Sequence, residues 1–319
     1  MRSSRITSFD YIRVVSIIGI LICHSLTDTW LNAEWLGRLL GMTFNFLFLI
    51  LSAFLFGISW ENKNYEKYDV SFITKRLRKL SKSYYPYLVV LFVFLYLTQD
   101  FFSFRKILTH FLYLPWFDKV TGFGHLWFLS MIAICYIGCV AFTRFPHNKL
   151  GVSSSSLLFI ASVVLGYFSM QVGIPGYIFP YLTGYLLVFK YARVLLLAVG
   201  KIPLLINILQ VCSVSFFNVI YFDYYNLSPY GYLGYLLGIL QAISIFCFLY
   251  NICTNIKESK IILFLSGVSF EIYLVHEFFL GKFSVYNYIE NPLLSFLVFV
   301  SLSIFTGYIL NLISKKLLN

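Results

Sequence analysis

Long apolar blocks alternate with short charged or Pro/Gly-rich breaks along the whole chain. The blocks fall at roughly 9–28, 36–58, 84–99, 124–144, 155–170, 176–190, 202–222, 230–251, 261–281 and 292–312. A spanning helix needs ~20 mainly apolar residues, so the pattern predicts about ten membrane spans. The blocks are continuously apolar rather than alternating with period two, which excludes a closed membrane barrel. The expected fold class is therefore all-α, a polytopic integral membrane protein. No internal repeat is visible. One transmembrane domain over 1–319 is expected, with no appended soluble domain and no cleavable signal, because the first block is a full span.

Composition agrees with the pattern. Of 319 residues, 60% are apolar and 12% charged, against about 45–50% and about 25% in soluble domains. These figures exclude a soluble enzyme, a disordered chain and a disulfide scaffold. The net charge of +11 comes from 24 Lys and Arg against 13 Asp and Glu. The basic residues sit in short loops between apolar blocks, which points to helix orientation rather than to nucleic acid. With the N-terminus in the cytoplasm, alternate segments hold 18 basic residues inside and 5 outside, Arg13 being the remaining one. That bias places both termini on the cytoplasmic side of a cell membrane. Cys23, Cys135, Cys139, Cys212, Cys247 and Cys253 lie in or beside apolar blocks without metal-ligand spacing and are expected to be buried thiols.

Ionisable groups inside a bilayer are costly and mark function. Arg13 and His24 in the first block are eleven residues apart, which leaves them ~20° apart in direction and ~16 Å apart along one helix face. Asp10 is placed to pair with Arg13, and Asp28 to orient His24 as a carboxylate orients a general base. A bland alternative is a snorkelling Arg and a helix-end His satisfied by its neighbours. Lys75, Arg76, Arg78, Lys79 and Lys82 crowd the break before Tyr84 and Pro86. Such a cluster binds phosphates, and it also serves orientation and anionic lipid. His125 and Trp127 open the fourth block, where an interfacial Trp is often an anchor. In the ninth block Ser269, Tyr273 and His276 share a face, while Glu271 points away from it near mid-membrane. His24 and His276 fall at similar depth, ~20 Å from the inner edge, which suggests a shared wet pocket.

These stretches, in this order, resemble membrane acyltransferase family 3, the integral-membrane O-acyltransferases that decorate bacterial polysaccharides. FDYIR with His24 matches the family's Arg-x10-His spacing. LSAFLFG is similar to its Ser-Gly-Phe-Leu stretch, with Ser52 matching and Ala53 in the place of Gly. KRLRK resembles its basic inner loop, with Lys79 where a second Arg is usual. HLWFLSMIAICY and SFEIYLVHE resemble its Trp-Phe-Leu and Tyr-Leu-x-His motifs.

The resemblance implies an acyl-CoA donor, most often acetyl-CoA, and a hydroxyl acceptor on a surface polysaccharide or lipid-linked oligosaccharide. A hydroxyl acceptor needs a positioned base, and His24, held by Asp28, is expected in that role, with Arg13 on the same face toward donor phosphate or pantetheine. Ser52, Arg76, Arg78 and Lys79 are expected at the donor. His125, Trp127, Glu271, Tyr273 and His276 are expected at the acceptor end, where all but Glu271 are also candidates to stabilise the tetrahedral oxyanion. No metal is called for. A glycan or lipid transporter without chemistry is the alternative from another class, although the matching broken halves of transporters are not seen. A polymerase would carry a large outer loop, and the longest here is about 100–123.

Overall fold

The computed structural model describes residues 6–28, 34–63, 68–98, 103–144, 152–171, 178–220, 232–280 and 284–317. Among them every regular element is helical. The helices are α1 (Thr7–Asp28), α2 (Glu34–Asn62), α3 (Val70–Leu97), α4 (Phe104–Phe111), α5 (Trp127–Phe142) and α6 (Val152–Gln171). They continue with α7 (Ile178–Lys190), α8 (Ala192–Val199), α9 (Leu204–Val219), α10 (Tyr232–Cys253), α11 (Lys260–Val275) and α12 (Pro292–Lys316). Short 3-10 turns lie at Gly124–Leu126, His276–Phe279 and Val285–Asn287.

Among the described residues seven segments are long and apolar enough to cross a membrane: α1, α2, α3, α5 and α11 with their 3-10 turns, α10 and α12. α7 and α8 are apolar helices bent by 84° at Tyr191, and α6 and α9 are shorter apolar helices. The protein is an all-α polytopic membrane protein, and each apolar block of the sequence finds its helix. The amphipathic α4 and the bend into α8 were not anticipated. Cys212 departs from the expected buried thiols: it is exposed on α9, while the other five cysteines are buried.

Within the single domain expected over 1–319, contacts gather into two compact units. The first comprises Met1–Thr27, Asn32–Tyr68 and Gly138–Ser266, the second Asp28–Leu31, Asp69–Ile137 and Gly267–Asn319. In the first, α2 packs against α7, α8 and α10, and α10 also packs against α9. Phe54 stacks on Phe246 with ring centres 4.6 Å apart, and Trp60 stacks on Phe189 at 4.9 Å. Close backbone approach occurs at Gly57, where an added Cβ would lie 2.2 Å from the Phe189 carbonyl oxygen. The extra methyl of Ala53 is fully buried one turn earlier, and the tight contact sits at Gly57, the last residue of the stretch.

In the second unit α12 packs against α3, and Gly307 brings it within 2.9 Å of the Ile272 backbone nitrogen, measured from an added Cβ. The third span corrects the sequence reading. Instead of starting at 84, its helix starts at Val70, capped by Asp69, whose carboxylate accepts from the Phe72 N–H. The Ser71 hydroxyl, donating to the same carboxylate, and secondly that backbone bond hold the Asp69 carboxyl below its ordinary value. Pro86 lies inside the helix and leaves the Lys82 carbonyl without its usual intrahelical donor.

The segment expected as a long outer loop doubles back along α3. The His110 ring meets Phe92 edge-on at 5.9 Å, and Tyr84 donates its hydroxyl to the His110 carbonyl at 3.1 Å. The Tyr113 hydroxyl reaches Ser81 Oγ at 2.8 Å and donates to the Leu77 carbonyl at 3.3 Å. The chain then returns to Phe123, 6.5 Å from Phe94. The excursion from the level of Phe94 to that of Leu77 is ~26 Å at 1.5 Å per residue. Tyr113 turns the chain with φ 60°, a left-handed conformation that costs a non-glycine residue about 1–2 kcal/mol. Its hydroxyl bonds and its contacts with Tyr84 and Tyr85 offset that cost.

Candidate functional site

Helix α1 is unbroken from Thr7 to Asp28, so the predicted common face of Arg13 and His24, both in the first unit, follows from helix geometry. Arg13 does not merely snorkel. Its Nη1 donates to Ser266 Oγ at 3.1 Å, and the Ser266 hydroxyl donates to Asp10 Oδ1 at 2.6 Å. The guanidinium lies 3.8 Å from the same carboxylate oxygen, with the Asp10 side chain only 5% exposed. A charge pair of this kind holds the cation in a medium where an isolated one is costly. His24 is half-buried one residue after the buried Cys23. The Asp28 side chain lies outside the described residues. Ser52 on α2 is half-buried, with Oγ 3.4 Å from the Tyr185 hydroxyl.

In the second unit a compact imidazole–carboxylate group forms where two 3-10 turns meet helix ends. Gly122, at φ 78°, and the turn Gly124–Leu126 deliver His125 to the start of α5. The α-helical part of the ninth span ends at Val275, short of the predicted 281, and His276 opens the 3-10 turn that follows. The His125 and His276 rings lie 4.8 Å apart in a T-shaped arrangement. Glu277 Oε1 lies 3.6 Å from His125 Nδ1 and 3.9 Å from His276 Nε2. Tyr273 donates its hydroxyl to the His125 carbonyl, which ties the two turns together.

The His276 tautomer follows from its partner. Nδ1 lies 2.7 Å from the Tyr273 carbonyl oxygen, which only accepts, so Nδ1 carries the proton. In the neutral ring the basic lone pair then belongs to Nε2, on the Glu277 side. His276 is fully buried and His125 is 4% exposed. Phe123 and Phe128 wall the group. Trp127, half-exposed, turns its ring to Phe128 at 6.0 Å.

Glu271 has partners of its own. Its Oε1 accepts from Ser83 Oγ at 2.6 Å and from Asn311 Nδ2 at 3.0 Å. It therefore joins α3, α11 and α12 as a buried clamp, on the side of α11 away from Tyr273, as its helical phase requires. The basic cluster is helix rather than loop. Lys75, Arg78, Lys79 and Lys82 are exposed on α3 at i, i+3, i+4 and i+7, one stripe, while the Arg76 guanidinium sits 5.4 Å over the Phe72 ring.

Sequence reasoning missed Glu277, Ser266, Ser83, Asn311 and Tyr113. Only Glu277 carried a readable signal, its position beside His276. A family model described as an acyltransferase domain matches residues 6–312, nearly the whole chain. No curated protein and no solved structure matches it.

Proposed function

Because the chain belongs to this acyltransferase family, we propose that it is an integral-membrane O-acyltransferase. It moves an acyl group, acetyl in the first instance, from acyl-CoA to a hydroxyl of a surface polysaccharide or its lipid-linked precursor. Its place is the bacterial cell membrane, with both termini cytoplasmic.

What carries this reading is the unbroken α1, which holds Arg13 in a paired and oriented state and His24 on the same face. A sugar hydroxyl is a weak nucleophile at neutral pH and needs a positioned base. His24 takes the hydroxyl proton as the oxygen bonds to the thioester carbonyl carbon, and the carbonyl pair moves onto its oxygen. Collapse of the tetrahedral intermediate breaks the C–S bond, and His24 returns the proton to the departing CoA thiolate. Asp28 orients the imidazole. Arg13 contacts polar groups of the donor, and the exposed stripe of Arg78 and Lys79, with Arg76 and Ser52, binds its phosphates and pantetheine. His125, Trp127, Tyr273 and His276 shape the acceptor end, where Glu277 keeps the imidazoles oriented. No step calls on a metal.

The test compares cells carrying the wild-type chain, the His24→Ala variant and neither, with surface glycan acylation read by mass spectrometry and membrane abundance by immunoblot. Acylation present only with the wild type, at equal abundance, is expected. Acylation retained by His24→Ala would sink the assignment of the base, and a glycan exported but never acylated would favour the carrier alternative.

A further inference from the structure

Among the described residues of the second unit, Tyr87 is a buried tyrosine whose hydroxyl lacks a partner. Tyr87 on α3 is 1% exposed, and its hydroxyl oxygen has no hydrogen-bond partner among the described residues. Its neighbours behave differently. Tyr84 and Tyr85 donate to the carbonyls of His110 and Phe111, Tyr113 donates to that of Leu77, and Tyr273 donates to that of His125. A buried polar group left unmatched in a native protein calls for an explanation, and one explanation is a partner that arrives with the substrate.

The position of Tyr87 supports that explanation. The edge of its ring meets Phe278 at 5.6 Å, and Phe278 directly follows Glu277. Tyr87 therefore borders the His125–Glu277–His276 group from the α3 side. On its own helix Tyr84 stacks at 6.5 Å, and Leu88 and Leu91 are fully buried beside it. A sugar ring would ask for several polar partners. One O–H donor set in apolar walls suits a carbonyl oxygen carrying a short alkyl chain.

We propose that Tyr87 is a catalytic residue: its O–H donates to the acyl carbonyl oxygen and holds it as the tetrahedral oxyanion forms. This rests on the acyl-transfer reading. The hydroxyl proton stays on Tyr87 throughout. The oxyanion's electron pair returns to the carbonyl as the C–S bond breaks, so the donor adds nothing to the balance of the reaction. A donor aimed where charge develops lowers the barrier without tightening the ground state.

The test is Tyr87→Phe in the purified full chain. Initial rates are measured for transfer of radiolabelled acetyl from acetyl-CoA to glycan extracted from the host envelope. Removal of one oxyanion donor should lower kcat by about 100-fold or more, with KM for acetyl-CoA within about twofold. The melting temperature should stay level or rise, because the variant keeps the ring and deletes only an unsatisfied hydroxyl. A merely structural hydroxyl would produce the opposite pair, a lower melting temperature with kcat preserved. A wild type that transfers acetyl alongside an equally fast Tyr87→Phe overturns the role of Tyr87 alone. A wild type that transfers no acyl group from acetyl-, propionyl- or butyryl-CoA overturns the acyl-transfer reading and this proposal with it.

Discussion

Glu271 offers a sharp separation between scaffold and substrate contact. Its Oε1 receives both the Ser83 hydroxyl at 2.6 Å and the Asn311 amide at 3.0 Å, and all three residues are at most 9% exposed. Glu271→Ala removes the acceptor for two interhelical bonds, each worth about 0.6–1.7 kcal/mol inside a membrane protein. It also leaves two buried donors unmatched and a cavity where the side chain was. Together these effects should cost about 3 kcal/mol, roughly a 150-fold shift in the folded equilibrium. Glu271→Gln keeps an acceptor oxygen in the same place and loses only the charge assistance, about 1 kcal/mol. Denaturant unfolding of the purified protein in detergent should therefore rank wild type above Glu271→Gln and Glu271→Ala last, and acyl transfer should fall only in step with the folded fraction. An alanine variant as stable as wild type but unable to transfer acyl groups would refute the clamp and return Glu271 to the acceptor site.

The basic stripe makes a kinetic prediction. Arg76→Ala/Arg78→Ala should raise KM for acyl-CoA about tenfold, the worth of one charge-assisted hydrogen bond, while kcat holds; an unchanged KM would leave the stripe an orientation signal. His110 makes a pH prediction. Burial holds its imidazole below the ordinary value of 6.5, outweighing the bond to the Lys106 carbonyl and the Asp118 charge, with Lys106 also pushing down. The unfolded chain then binds more protons in the window below 6.5, so stability rises with pH across it and is lost on acidification. Melting temperature measured from about pH 7 to about pH 5 should fall more steeply for wild type than for His110→Asn; equal slopes would contradict the buried neutral ring.

Much of this was legible in the sequence because membrane physics leaves strong traces. The apolar blocks predicted the helices, and the eleven-residue interval of Arg13 and His24 needed only an unbroken α1 to place them on one face. The start of α3 was readable in principle, since Asp69 is a good N-cap. It was missed because a run of five basic residues reads as a solvated loop rather than as an exposed helical stripe. The doubling back of 103–123 was beyond local pattern, because it depends on Tyr113 reaching Ser81 across 32 positions of sequence. Glu277 was overlooked for a geometric reason. On either kind of helix it turns ~100° or more from His276, and only the tertiary placement of the His276–Phe279 turn beside His125 sets its carboxylate near both imidazoles. Ser266, Ser83 and Asn311 are ordinary polar residues in apolar blocks, and only tertiary pairing gives them meaning.

The most direct test of acyl transfer by this chain uses purified protein, isotope-labelled acetyl-CoA and extracted envelope glycan, with mass spectrometry of the glycan product. The account predicts labelled ester on the glycan and equimolar free CoA with the wild type, and neither with His24→Ala. Labelled ester formed equally by both proteins, or none formed by the wild type, would contradict it.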